Sequence, residues 1–237
     1  MRTHKVLSVS VSLAAMLFLL PGTFLRAAGT EEARKAGWEE STPGRWNSLP
    51  ERRVKAEGDS FQADVVLAPG TGVLWEKKVN TGLSPGDVLV IEMVSSGTNG
   101  TSRDYERYKA HFPVSVTVVF GKDSMDIPWK ERVGDFFRDI WYGFPPGGIR
   151  LTFAFGNSAP VGSMYRLGEE ETVFLLGSKG EQGKRIRISR DLKEAFRAAY
   201  GRDPRGPVTR ILVSAQRPSR EKGPIETEIH LSSPLLK

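Results

Sequence analysis

The sequence contains no cysteine, and only three of its 237 residues are histidine. The lack of cysteine excludes disulfide bonds, thiolate metal sites, iron–sulfur clusters and thiol catalysis. His4 lies in the N-terminal segment described below, which leaves His111 and His230 as the imidazoles of the remaining chain. Sites built from several histidine ligands are therefore not expected, and we predict neither a metal nor a cofactor.

Familiar enzyme signatures are missing as well. The chain has no P-loop, no G-x-G-x-x-G, no HExxH and no G-x-S-x-G. Ser102 and Ser158 follow the glycines that begin the two nearest approximations to G-x-S-x-G, but both approximations lack the closing glycine. We interpret both serines as loop residues, so no catalytic residue is assigned and we favour a protein that is not an enzyme.

The first 29 residues have the three parts of a secretory signal peptide. Arg2 and Lys5 precede an apolar run over residues 6–20, and residues 27–29 supply small side chains at the exit site. A helix over that run reaches about 22 Å, which is short of the ~30 Å hydrocarbon core of a bilayer. We predict cleavage and export to the periplasm or the extracellular space. An uncleaved signal anchor, the alternative, would be the only membrane contact.

Positive charge is modest once that segment is removed. The formal net charge of +6 falls to +3, with 31 basic against 28 acidic residues. The remaining bases are scattered in short pairs and are not interleaved with aromatic residues, unlike the basic patches of nucleic-acid-binding proteins. We therefore predict no nucleic-acid partner.

An alternation of apolar and polar residues dominates the single domain that we predict over residues 53–237. Residues 30–52 are mostly polar and are interpreted as a mobile lead-in. The alternation and the Gly/Pro/Asn punctuation predict strands at residues 60–67, 73–79, 88–94, 114–120, 150–155, 172–176, 185–188, 208–215 and 225–231. Helices are predicted at residues 190–200, capped by Ser189 and ended by Gly201, and at residues 128–140.

These elements favour one fold class. One polar and one apolar face per strand is what an antiparallel sheet needs when a single side is buried. Many short strands with few helices then predict a mainly β protein: a two-sheet antiparallel sandwich, jelly-roll-like, with one or two short helices.

Aromatic side chains gather around the predicted helix at residues 128–140. Exposed aromatic rings on rigid loops suit stacking against sugar rings. The alternative is that these rings pack the helix onto a sheet. The candidate ligand-binding residues are Trp129, Trp141, Tyr142 and Phe144.

Carboxylates offer a second possible chemistry. A glycosidase needs a facing pair of carboxyl groups roughly 5–10 Å apart. Asp135 and Asp139 are four residues apart on the same predicted helix and would share a face, although a solvated helix face is the alternative. Glu169, Glu170 and Glu171 are expected to form an exposed charge run.

The connection over residues 95–112 is long for a compact sandwich. Such loops are usually functional or mobile. It contains a possible N-glycosylation sequon at Asn99, and it ends at His111, before the strand at residues 114–120. We interpret His230 as an exposed strand residue rather than a catalytic base.

The C-terminal third carries a distinctive run of residues around the helix at residues 190–200 and the strands that follow it: Ser189, Arg190, Asp191, Leu192, Phe196, Tyr200, Gly201, Pro207, Val208, Ile211 and Ile229. This run resembles a family of exported bacterial proteins known only as a domain of unknown function. More weakly, residues 73–79 and 116–120 resemble earlier strands of that family. The resemblance implies an exported β-rich domain without an assigned activity.

Together these patterns predict an exported, non-catalytic β-sandwich that binds a saccharide or another envelope component through loops at one end. A carboxylate-dependent glycan hydrolase on the same sandwich is the first alternative. The second is a structural or assembly protein of the cell envelope that presents a sheet edge to a protein partner.

Overall fold

The computed structural model describes residues 31–42, 48–84, 86–106, 110–121 and 148–236. The predicted signal peptide and the helix predicted at residues 128–140 lie outside these ranges. Both stay predictions.

The described residues contain twelve strands, two α-helices and two short 3-10 turns. The strands are β1 (Trp38–Ser41), β2 (Glu51–Glu57), β3 (Ser60–Leu67), β4 (Gly72–Thr81), β5 (Val88–Ser95), β6 (Val114–Phe120), β7 (Ile149–Phe155), β8 (Met164–Arg166), β9 (Glu171–Gly177), β10 (Ile186–Asp191), β11 (Val208–Gln216) and β12 (Ile225–Ser232). The helices are α1 (Glu31–Lys35) and α2 (Leu192–Tyr200), and the 3-10 turns are Lys179–Glu181 and Pro234–Leu236.

The strands form two sheets. One has seven strands in the order β1-β4-β11-β6-β7-β9-β8, and the other has five in the order β10-β5-β12-β3-β2. Every neighbouring pair of strands is antiparallel except β7 and β9, which run parallel. Strand β8, which connects them in the chain, pairs with the far side of β9 at the edge of the sheet. The predicted fold class, a mainly β two-sheet sandwich, is confirmed.

The main core lies between the two sheets. Strand β3 shows why: Phe61, Ala63, Val65 and Leu67 are buried and alternate with exposed neighbours. Its partner β12 buries every second residue in the same way. Because successive side chains of a strand point to opposite faces, the apolar residues at every second position of β3 and β12 face the other sheet.

The centre of the seven-stranded sheet departs from that simple pattern. All seven residues of β7 are buried, including Arg150 and Thr152 on its outward face. Strands β6 and β9 each expose only one residue even partly. Polar residues on these strands therefore do not mark a solvent-facing side.

Helix α2 and its N-cap begin two residues later than predicted. Ser189 belongs to β10, and the N-cap is Asp191, whose carboxylate accepts hydrogen bonds from the backbone N–H groups of Lys193 (2.8 Å) and Glu194 (3.0 Å). Gly201 ends the helix as predicted, with the left-handed φ of 68° that favours glycine.

The polar segment ahead of the domain contributes to the sandwich. Strand β1 pairs with β4, and Trp38 is buried with its ring centroid 4.2 Å from that of Phe61. The buried carboxylate of Glu40 accepts hydrogen bonds from the Trp75 indole (2.8 Å) and from the guanidinium of Arg52. The composition of residues 30–52 predicts a mobile lead-in, whereas these buried contacts place residues 38–41 within the fold.

None of the helices in the described ranges has the length and the apolar character that crossing a bilayer requires.

Candidate functional site

The outward face of the five-stranded sheet carries a concentration of charged side chains on neighbouring strands. On β12, Glu228 lies directly opposite Asp64 of β3, and His230 lies opposite Glu92 of β5. All four alternate with buried residues of their strands and therefore face away from the core. His230 thus lies on the outward face, as the alternation predicts.

A groove of about 420 Å³ runs over one end of this face. Strand β3 lies between β12 and β2, so Asp64 and the partly exposed Val66 form the floor. The outward side chains of β12 stand on one side and those of β2 on the other. Its lining residues are Glu51, Arg52, Arg53, Asp64, Val65, Val66, Glu226, Thr227 and Glu228.

Ion pairs hold the β10 side of this face. Arg185 donates to Glu228 (Nη2 to Oε2, 2.8 Å) and lies 3.6 Å from Glu92 through Nη1. Arg187 lies 3.3 Å from the same Glu92. These guanidiniums offset two of the carboxylates beside the groove.

Charged groups inside the groove are open to a ligand. The side chains of Glu51, Arg53, Asp64 and Glu226 form no hydrogen bond or ion pair with another described residue. Asp64 lies directly opposite the like charge of Glu228 on one side and the opposite charge of Arg53 on the other. The groove therefore presents three unpaired carboxylates and one unpaired guanidinium to solvent.

Asp64 and Glu228 lie side by side on neighbouring strands of the outward face. Directly opposite residues of antiparallel strands have Cβ atoms about 4.5–5.5 Å apart. The carboxyl groups of glycosidases lie roughly 5–10 Å apart, depending on mechanism. The register thus places two carboxylate side chains on adjacent strands, as the spacing of Asp135 and Asp139 was expected to do on one helix.

On the outward face of the seven-stranded sheet, Glu39 of β1 lies directly opposite Glu76 of β4, but both carboxylates have basic partners: Lys78 is 3.2 Å from Glu39, and Arg210 is 3.9 Å from Glu76. Glu76 of β4 and Glu171 of β9 are separated by three intervening strands. At about 4.8 Å per strand they are about 19 Å apart, too far for a facing pair.

The acidic run at residues 169–171 is exposed only at Glu169, whereas all three residues were expected to be exposed. Glu170 and Glu171 are 2% and 8% exposed. Glu171 accepts a hydrogen bond from Thr152 (2.8 Å), which in turn lies 2.9 Å from the hydroxyl of Thr117, and its carboxylate is 3.9 Å from Arg150. These contacts link β6, β7 and β9, so a run that looks solvated in sequence is part of the sheet's buried polar structure.

Three comparisons with known proteins give no family for this chain. No protein-family model matches the chain, and no curated protein matches it. Solved structures do match. The catalytic domain of Cel12A from Humicola grisea, crystallised with a thio cellotetraose, is 10% identical with a TM-score of 0.47, covering 84% of this chain and 92% of that one.

Two further solved structures have similar coverage. Endoglucanase 3 of family GH12 from Trichoderma harzianum is 9% identical with a TM-score of 0.43, covering 89% of this chain and 93% of that one. The xyloglucanase domain of NopAA from Sinorhizobium fredii, in complex with cellobiose, is 9% identical with a TM-score of 0.39, covering 83% and 94%. At these identities and TM-scores no residue role transfers to this chain.

The aromatic candidates Trp129, Trp141, Tyr142 and Phe144 lie outside the described residues, as do Asp135 and Asp139. The proposed roles of all six stay predictions. Within the described ranges, no group of three or more histidine, aspartate or glutamate side chains is arranged to hold a metal ion.

Residues of the long connection at 95–112 have structural contacts. Asn99 is fully buried and donates to the carbonyl oxygens of His111 (2.8 Å) and Gln216 (2.9 Å). The Asn99 amide therefore helps to hold this connection and is not presented at the surface. The Ser102 hydroxyl accepts a hydrogen bond from the His111 backbone (2.6 Å), which agrees with its interpretation as a loop residue.

Sequence reasoning missed the groove. Its signal was present, since Asp64 and Glu228 both occupy polar positions of alternating strands. What the sequence did not reveal was that β3 and β12, near opposite ends of the chain, are neighbours.

Proposed function

We propose that this is an exported, non-catalytic β-sandwich protein that binds a neutral saccharide in the groove over β2, β3 and β12. The observation that carries the proposal is a groove of about 420 Å³ lined by six charged side chains, of which Arg52 and Glu228 are paired and the other four have no partner among the described residues. That volume lies within the ~300–1,000 Å³ of small-molecule sites.

The chemistry of the lining favours a polyhydroxylated ligand. Carboxylates such as Asp64 and Glu226 accept hydrogen bonds from sugar hydroxyls, and Arg53 donates to ring or hydroxyl oxygens. The excess of negative charge disfavours uronic acids and other anionic sugars. The lining residues include no aromatic side chain, so binding depends on charge-assisted hydrogen bonds rather than on ring stacking.

The test is a titration of neutral glycans, with binding measured by calorimetry. Asp64→Ala removes an acceptor from the groove floor, and we expect the Kd to rise about tenfold or more because hydrogen bonds to charged groups are among the stronger ones. Glu57→Ala is the matched control: Glu57 is an exposed carboxylate of β2 that does not line the groove. Its Kd should stay within about twofold of wild type. Equal affinities for Asp64→Ala and wild type would refute binding in this groove.

A carboxylate-dependent glycan hydrolase is the alternative, and the direct opposition of Asp64 and Glu228 favours it. In that case the wild-type protein releases reducing ends from a glycan that it binds. Asp64→Asn and Glu228→Gln would each abolish release while leaving binding within about threefold of wild type. Binding without any release by the wild-type protein rejects the hydrolase.

A further inference from the structure

One exposed aromatic ring stands apart from the groove. Tyr105, in the connection between β5 and β6, is 56% exposed. Its ring packs on that of Tyr165 of β8, with centroids 4.6 Å apart and planes tilted by 60°. Among large apolar and aromatic side chains of the described residues, it is the most exposed.

The ring is held in place by the residue before it. Asp104 is 1% exposed, and its carboxylate accepts hydrogen bonds from the Asn157 side chain (2.6 Å) and from the backbone N–H groups of Asn157 (3.0 Å), Ser158 (2.8 Å) and Ala159 (2.9 Å). The loop that carries Tyr105 is thereby tied to the segment that follows β7. An exposed ring on a fixed backbone loses little conformational entropy when a ligand covers it.

Beneath the exposed ring lies a neutral, half-buried support. Tyr165 packs against a small apolar cluster that includes Phe112, Leu167 and Leu175. Burial, and to a lesser extent the nearby charge of Asp104, raises the pKa of Tyr165, so its phenol stays protonated at any physiological pH. Two exposed charged residues lie close to Tyr105 in the chain and pair with each other: Arg103 donates to Glu106 at 2.6 Å.

We propose that Tyr105 is a stacking platform for a pyranose ring, at a site distinct from the groove. A pyranose has an apolar face of C–H groups and a rim of hydroxyls. The apolar face matches the exposed tyrosine ring, and the charged side chains of Arg103 and Glu106, close to Tyr105 in the chain, suit the hydroxyl rim. The platform lies beside the β8 edge of the seven-stranded sheet, whereas the groove lies on the five-stranded sheet. A polysaccharide could therefore occupy either site without the other.

The experiment measures retardation of the purified protein in native gels containing a soluble β-glucan, xylan, mannan or α-glucan. For the polysaccharide that retards the wild-type protein, Tyr105→Ala and Tyr105→Leu should raise the Kd about threefold to tenfold. Tyr105→Trp, which keeps a flat ring, should bind within about twofold of wild type. The leucine variant retains apolar bulk over Tyr165 and so guards against loss of folding.

Controls separate this site from the groove. Met164→Ala removes another exposed apolar side chain, 47% exposed, and should leave retardation unchanged. If Tyr105→Ala and Tyr105→Leu are folded and are retarded as strongly as the wild-type protein, the platform is disproved. If Asp64→Ala alone then weakens binding, the groove is retained. If Tyr105→Ala loses binding to the polysaccharide while Asp64→Ala binds it as tightly as wild type, the result supports the platform and contradicts the groove. A wild-type protein that none of the four polysaccharides retards contradicts both.

Discussion

Single buried polar residues hold the loops of this protein. Asp104 accepts four hydrogen bonds from the segment after β7, and Asn99 bonds to two backbone carbonyls as well as receiving the guanidinium of Arg217. Both residues lie in the connection over residues 95–112, whose length predicts a functional or mobile loop. Their contacts instead fix the described part of that connection to the end of the sandwich.

Removing the Asp104 carboxylate should therefore destabilise the whole domain. We expect Asp104→Ala to lower the free energy of unfolding by at least about 3 kcal/mol, because it leaves buried N–H donors without an acceptor. Urea denaturation followed by circular dichroism measures the change. Glu106→Ala, at a partly exposed carboxylate two residues away, should change stability by no more than about 0.5 kcal/mol. Equal stability of the two variants would mean that the Asp104 contacts contribute little.

At the scale of whole elements, both ends of helix α2 have an identifiable cause. Asp191 supplies the N-cap, and a third backbone group, the N–H of Gly86, also donates to it at 3.2 Å. Gly201 supplies the left-handed C-terminal residue. The carboxylate thus joins the start of the helix to the turn before β5.

The cap predicts a pH-dependent contribution to stability. Hydrogen bonds from the Glu194 N–H and the other backbone donors lower the pKa of Asp191. Because the folded pKa is the lower one, the stabilisation is present above the ordinary aspartate pKa and is lost as the pH falls through the folded value. Asp191→Ala should cost about 1 kcal/mol at pH 7. That difference from wild type should shrink below about pH 4.

Urea unfolding of both proteins at a series of pH values checks this expectation. Ser189→Ala, at the position that the sequence suggested as the cap, should behave like wild type throughout. A cost for Asp191→Ala that stays constant down to pH 2 would show that the ionised carboxylate is not what stabilises the helix.

Strand β1 offers a second test at this scale. Trp38 is 2% exposed and packs on Phe61, so Trp38→Ala should destabilise the fold by about 3 kcal/mol or more through the cavity that it leaves. Glu39→Ala, on the exposed side of the same strand, should cost no more than about 0.5 kcal/mol. Thermal unfolding of the two variants compares them. Equal melting temperatures of the two variants would show that residues 38–41 contribute little to the stability of the fold.

At the scale of the whole molecule, the predicted signal peptide sets where the exported chain begins. We propose that export removes residues 1–29, and the intact mass of the protein recovered from its native host should then correspond to a chain beginning at Thr30. This follows from the small residues at the exit site and the short apolar run. Recovery of a chain that retains residues 1–29, in the membrane fraction, would establish the signal anchor instead.

Prediction from the sequence succeeds for elements whose pattern lies within a few consecutive residues. Nine strands were predicted near their observed positions because alternation along six to ten residues reports which side of a strand is buried. It failed for β1, β2 and β8. Strand β2 has one buried residue, Val54, among mostly charged neighbours, and β8 is only three residues long. Neither carries enough apolar periodicity to be recognised.

The sequence by itself determined which residues of most strands face inward and where helix α2 ends, because both follow from a period of two or from the conformational freedom of glycine. Tertiary structure alone decided that Asp64 and Glu228 lie side by side on neighbouring strands at the groove and that Glu170 and Glu171 are buried. Pairing between strands remote in the chain depends on how the two sheets are assembled, and local pattern carries no record of that assembly.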